Sequence, residues 1–220
     1  MLDLANVVPW GRSLKEYQAM FELSNDDLNK KILGCGDGPA SFNAEATEVG
    51  CQVISCDPVY QFKVAEVRHR IGEVYPEIMA KMQQAADSYV WDSFNSVEHL
   101  GEVRMEAMSR FLSDFDAGYQ QGRYVSASLP MLPFSDSKFD LALCSHFLFL
   151  YSDHLDRAAH LASMRELCRV ASEVRVFPVV SLDGKTSKHL DSVMAGLSAD
   201  GIAVSLQPVS YRFQKGATEM

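Results

Sequence analysis

The run Lys31-Ile32-Leu33-Gly34-Cys35-Gly36-Asp37-Gly38-Pro39 constrains this chain more than any other feature, because a short apolar stretch enters three glycines spaced two apart. Glycine reaches backbone conformations closed to other residues and lets a ligand or a second backbone come close. From Ala40 to Val49 the pattern is helical, and Gly50 closes it. Gln52-Val53-Ile54-Ser55-Cys56 then has strand character and stops at Asp57-Pro58, since proline cannot extend a ladder. Strand, glycine loop, helix and strand follow within about 30 residues, the size of one βαβ unit.

The rest of the chain continues that alternation around one interruption. Ser13, with Glu16 three residues on, has the form of a capping box and opens an N-terminal helix reaching Leu23. Between Tyr60 and Gly122 strand patterns stop and apolar residues recur at helical spacing, as in Val64, Val67, Ile71 and Val74, then Met105, Met108, Phe111, Leu112 and Phe115. This predicts a helical insertion over 60–122 within a single domain of 1–220. Strand patterns return at 123–128, 139–144 and 173–180, with helices over 155–170 and 187–197, and end with strands at 202–206 and 210–213. The prediction is an α/β fold with a mainly parallel, doubly wound sheet and an antiparallel hairpin at its C-terminal edge.

Composition narrows the partners. A chain of 220 residues that is 47% apolar and 22% charged has the material for a core and is not disordered. Its net charge of −9, without a Lys/Arg cluster, argues against nucleic acid as a partner. The longest apolar run, around Phe147-Leu148-Phe149-Leu150-Tyr151, is far short of the ~20 residues that cross a bilayer. The opening Met1-Leu2-Asp3-Leu4-Ala5-Asn6 has no basic start or apolar core of a secretory signal, so export is not expected. Five cysteines form no CxxC pair and have no histidine at zinc-ligand spacing, which suits reduced thiols in a cytoplasm and no metal site.

The candidate chemistry gathers around the glycine loop. A helix N-terminus behind such a loop offers free N–H donors, favouring a ligand with an anionic or adenosine-like part. A dinucleotide loop favours GxGxxG, and the position five beyond Gly34 is Pro39, so the spacing weighs against a nicotinamide dinucleotide. Asp57, ending the next strand, can accept both hydroxyls of a ribose in the crevice above the sheet. His146 is the candidate general base, because imidazole titrates near neutral pH; a role in shaping the pocket is equally open to it. Phe149 and Tyr151 either line an acceptor pocket or belong to the core. Trp10-Gly11-Arg12-Ser13 can fold over the cofactor, with Arg12 pairing a carboxylate and Tyr17 donating a hydrogen bond to it. The insertion offers Tyr75, Tyr89, Trp91, Phe94, His99 and Arg104, suited to a lid over a small organic substrate or to a homodimer seam.

Three segments together carry a family likeness. Ile32 to Gly38, Cys56-Asp57-Pro58, and Leu132-Pro133-Phe134-Ser135-Asp136-Ser137-Lys138-Phe139-Asp140-Leu141-Ala142-Leu143-Cys144-Ser145-His146 resemble class I S-adenosylmethionine-dependent methyltransferases. The likeness covers nearly all of the chain outside the insertion. It implies a Rossmann-like seven-stranded sheet whose C-terminal strand is antiparallel, with the helical insertion between the second and third strands. It implies that Gly34, Cys35, Gly36, Asp37 and Gly38 cradle the methionine part of the cofactor and that Asp57, with Pro58, holds the ribose. Ser145 joins these candidate cofactor contacts. The family usually has an acid two positions before the first glycine, where this chain has Ile32, and another ahead of its Leu-Pro-Phe loop, where it has Ser126, Ala127 and Ser128. Asp37 is then the substitute for the first, and the Ser128 hydroxyl or the backbone near Leu129 for the second. The expected activity is methyl transfer to a small-molecule acceptor, with Tyr89, Trp91, Phe149 and Tyr151 as acceptor contacts. The alternative is a protein that binds the cofactor without transferring its methyl, using it for other chemistry or in a non-catalytic binding or interaction role.

Overall fold

Parallel strands buried on both faces read as unbroken apolar runs, and the runs of this chain become such strands. In the computed structural model, which describes residues 8–220, β1 (Lys31–Cys35), β2 (Gln52–Cys56), β3 (Tyr124–Val125), β4 (Phe139–Ser145) and β5 (Ala171–Phe177) form one sheet in the order β3-β2-β1-β4-β5. Every pairing is parallel. The stretch Met1 to Asn6, on which the export expectation rests, lies outside the described residues. The strand order reverses at β1, whose neighbours β2 and β4 lie on opposite sides. In open α/β sheets such a reversal leaves a crevice beyond the strands' C-terminal ends.

Helices cover both faces. α1 (Leu14–Met20) starts at the predicted capping box, the Ser13 hydroxyl accepting the Glu16 N–H while Glu16 reaches back to the Ser13 N–H. α2 (Phe42–Glu48) ends before Gly50, whose φ of +89° is the left-handed turn a glycine makes without strain. These two pack over Ile32, Leu141 and Leu143 on one face. α5 (Arg157–Val170), capped by Asp156 on the Ala159 N–H, and α6 (Leu190–Ala199) cover Leu33, Ala142 and Cys144 on the other. Between β2 and β3 run the two long helices of the 60–122 region, α3 (Val64–Gln84) and α4 (Val97–Gln120). Val67 and Ile71 on α3 meet Met108, Phe111 and Phe115 on α4, and that cluster closes on Tyr60 and Tyr124 beside the sheet. Among the described residues no helix is long and apolar enough to cross a membrane.

Two expectations are corrected. The sheet has five strands rather than seven, and none is antiparallel, because neither 202–206 nor 210–213 joins it. Ile202 and Val204 do turn inward while Ala203 and Ser205 face solvent. Yet a cavity of about 760 Å³ lies between that segment and β5, so no ladder forms. Val209, Tyr211 and Phe213 are buried at alternate positions, but their segment bonds instead to residues 88–90, through Val90 N–H to Phe213 C=O (2.6 Å) and Lys215 N–H to Ser88 C=O (3.0 Å). The alternation reports one buried face, which an extended segment shares with a strand.

Candidate functional site

The glycine loop leaves β1 and is bolted to the end of β2. Gly36 N–H donates to Cys56 C=O (2.9 Å), Gly38 N–H to Asp57 Oδ2 (2.9 Å), and the Tyr60 hydroxyl to Gly38 C=O (2.8 Å). Asp57 Oδ1 accepts the Val59 N–H (2.8 Å), capping the short 3₁₀ turn Pro58–Gln61. Both carboxylate oxygens therefore hold backbone donors, and each keeps a further lone pair for a ligand. The glycines differ in purpose. A Cβ on Gly34 would fall on the Asp37 carboxylate, and one on Gly36, at φ +72°, would stand 3.0 Å from Phe147 Cβ. At Gly38, φ +55°, a Cβ would meet nothing within 4 Å. That is the place where the loop backbone faces open space.

Asp37 sits over Gly34, buried, with Tyr17 Oη donating to Oδ1 (2.7 Å) and Ser55 Oγ to Oδ2 (2.6 Å). Ser55 is the register partner of Gly34 across β1 and β2, which puts its hydroxyl within reach. Burial pushes the Asp37 carboxyl up to about 7 against the pull of those two donors, and Asp57 adds repulsion. Burial likewise raises Asp57 to about 6, opposed by its backbone donors. Tyr17 stacks flat on Phe42, ring centroids 4.0 Å apart; burial and then Asp37 raise its phenol well above the usual range, so it stays a neutral donor.

At the end of β4, His146 is the third feature of the site. Its φ of +50° is unusual for a residue with a full side chain and is held by its N–H on Phe177 C=O (2.7 Å). Nδ1 lies 3.1 Å from Ser145 Oγ. Burial, followed by the charges of Arg12 and Arg104, holds the imidazole well below its ordinary value, so it is neutral at pH 7.

A cavity of about 350 Å³ joins these groups, within the range of small-molecule sites. Of the predicted residues, Arg12, Tyr17, Gly36, Asp37, Gly38, Asp57, Ser145, His146, Tyr89 and Tyr151 line it. Ile78 and Met82 of α3 add an apolar wall from the insertion. Gly34 and Cys35 lie beneath the loop, and Pro58 begins the 3₁₀ turn behind Asp57. Four other predicted residues stand off the cavity. Ser128, exposed, and Leu129 belong to a turn closed by Met131 N–H on Ser128 C=O (3.1 Å). Phe149 is buried against the opposite face of the sheet. Trp91 packs edge-on to Phe213 and donates Nε1–H to Ala86 C=O (3.0 Å).

Residue patterns give no notice of three contributors: Ser55, Glu16 as a buried ion-pair partner, and Tyr211. The Arg104 Nη1 is 2.5 Å from Glu16 Oε2, and Tyr211 Oη donates to Glu16 Oε1 (3.0 Å). These contacts span 88 and 195 residues of chain, beyond any local periodicity. Among the described residues no cluster of three His, Cys, Asp or Glu could hold a metal ion.

Comparison with known proteins adds one relationship. The chain is 29% identical over 221 residues to an uncharacterized protein of Methanocaldococcus jannaschii, across all of this chain and 96% of that protein. No protein-family model and no solved structure matches it.

Proposed function

We propose that this chain is an S-adenosylmethionine-dependent methyltransferase of Rossmann-like layout acting on a small-molecule acceptor. The observation that carries the proposal is the Gly36–Gly38 loop fastened to Asp57 beside the reversal of strand order, with open space at Gly38 where a ligand can meet the backbone. Asp57 would hold the ribose hydroxyls through its remaining lone pairs. The loop would lie along the methionine part, and Tyr17 and Ser55 would keep Asp37 in place beneath it.

The cofactor, when bound, supplies a methyl group already activated on a sulfonium. What remains for the protein is alignment, exclusion of water and handling of a proton, and alignment alone can supply much of the rate. His146 is neutral at pH 7 and so has a lone pair free to accept a proton from an oxygen or nitrogen nucleophile. Ser145 and the Phe177 carbonyl orient it. Tyr89, Tyr151, Ile78 and Met82 would enclose the acceptor. The cysteines are all free thiols, which fits a reducing cytoplasm.

One observation favours a second reading, cofactor binding without transfer. Ile32 is fully buried in the core, and the Asp37 carboxylate that would replace the usual acid is already engaged by Tyr17 and Ser55. Incubation with methyl-labelled S-adenosylmethionine and fractionated metabolite extracts separates the two. Label in a small-molecule fraction supports transfer, tight binding without label supports the second reading, and no binding removes both.

A further inference from the structure

The guanidiniums of Arg12 and Arg104 outnumber the carboxylates that pair with them. Arg104, fully buried on α4, pairs with Glu16, whose other oxygen is taken by Tyr211. Arg12 lines the cavity and has no carboxylate partner among the described residues; a long bond of 3.4 Å from Nη1 to Trp10 C=O is its hydrogen bond. Nε of Arg12 and both Nε and Nη2 of Arg104 are buried without a partner. Two guanidiniums thus share one carboxylate, and the half-buried Arg12 in the cavity wall carries the positive charge left over, its Nε buried without a partner. Burial of an unpaired charge is unfavourable unless a counter-charge arrives.

Arg12 lines the same cavity as His146, Tyr89 and Tyr17, and its charge bears on all three. We infer that the cavity wall at Arg12 is a carboxylate subsite, taking one singly charged acid group of a bound ligand through a guanidinium that has no carboxylate partner among the described residues. An excess of one positive charge is matched by a monoanion, and a planar guanidinium fits a carboxylate in a two-point contact. Because Arg12 shares the cavity wall with Tyr89 and His146, the residues given above to the acceptor and its proton, we assign that carboxylate to the methyl acceptor. This assignment of the source rests on the methyltransferase reading, while the subsite itself does not.

Three measurements on wild type, Arg12→Met and Arg12→Lys test it. Calorimetry compares S-adenosylhomocysteine with 5′-methylthioadenosine, which shares the nucleoside but lacks the amino-acid carboxylate. Methyl-label uptake is followed in extract products retained by anion exchange. Acetate is titrated while thermal unfolding and the arginine Nε–H NMR signals are recorded. The expected result is unchanged affinity of Arg12→Met for both nucleosides, with uptake into anionic products reduced by about tenfold or more and partly restored in Arg12→Lys. A selective loss of affinity for S-adenosylhomocysteine in Arg12→Met would keep the carboxylate subsite and transfer its source to the cofactor. If wild type binds neither nucleoside, the methyltransferase reading falls and acetate decides the subsite alone: an Arg12 Nε–H shift and a raised melting temperature, both absent in Arg12→Met, support it. Arg12→Met is also expected to melt no lower than wild type, because it removes a half-buried cation with no carboxylate partner and keeps an apolar stem in its place. Folded Arg12→Met with wild-type uptake and nucleoside affinities, or wild type blind to acetate and to every carboxylate-bearing probe, would overturn the proposal.

Discussion

Asp37 and Asp57 stand at the ends of adjacent strands, and burial gives them different duties. Asp37 holds its proton up to about 7, while an aspartate in the unfolded chain titrates near ~3.9. Between those values the folded state binds a proton that the unfolded state has lost, so stability falls as pH rises and levels off above the folded value. His146 acts in the opposite sense: its value is lowered on folding, so its contribution is lost as pH falls below ~6.5. The window from pH ~6.5 to ~8 therefore reports mainly Asp37, with a smaller share from Asp57. Wild type should lose about 1 kcal/mol across it, and Asp37→Asn should be nearly flat, as read from urea unfolding at each pH. A wild-type profile no steeper than that of Asp37→Asn through this window would show that Asp37 is ionised in the fold. Asp57 carries the loop instead. Asp57→Ala strips acceptors from the Gly38 and Val59 amides and should cost about 2–3 kcal/mol of stability while weakening S-adenosylmethionine binding in parallel. Weakened binding at unchanged stability would mean that the carboxylate serves the ligand alone.

At the scale of elements, Gly36 and Gly38 of the loop make separable predictions. Gly36→Val should destabilise the protein itself, because its Cβ meets Phe147 and its φ is +72°. Gly38→Ala meets no neighbour, so its cost is confined to the left-handed backbone, about 1 kcal/mol, while its methyl enters the ligand space. A folded Gly38→Ala protein with wild-type affinity for S-adenosylmethionine would remove the loop from the ligand site. Much of this region was legible in the residues. β1, β2 and β4 are apolar runs because helices cover both their faces, and the Ser13 capping box announced α1 at close range. β3 pairs only over Tyr124–Val125, and the chain reaches the turn closed by Met131 N–H on Ser128 C=O three residues later. The 202–206 and 210–213 segments misled because a period of two reports which side is buried and carries no information on whether a strand edge lies within hydrogen-bonding reach. Ser55, and the Glu16, Arg104 and Tyr211 cluster, were not legible, since those pairings depend on register and on chain-distant packing.

At the scale of the molecule, the cavity closes because the insertion and the C-terminal segment meet over it. Tyr89 follows α3, stacks on Phe213 with ring centroids 4.7 Å apart, and lines the cavity; its neighbours Ser88 and Val90 bond to Lys215 and Phe213. Trp91, two residues on, packs on the same Phe213 from outside the cavity. The two aromatics thus separate a wall function from a packing function. Tyr89→Ala should lose about 0.5–1.5 kcal/mol of ring contact and open the acceptor end, leaving S-adenosylmethionine affinity within about threefold of wild type while methyl-label uptake falls further or shifts to other products. Trp91→Ala should lose comparable or greater stability with the same products labelled at the same relative rates. Both variants are to be compared at equal folded fraction, with unfolding followed by tryptophan fluorescence for Tyr89→Ala and by circular dichroism for Trp91→Ala. If Trp91→Ala alters the product pattern as much as Tyr89→Ala does, acceptor choice depends on the overall seating of the insertion and not on the Tyr89 ring at the cavity wall.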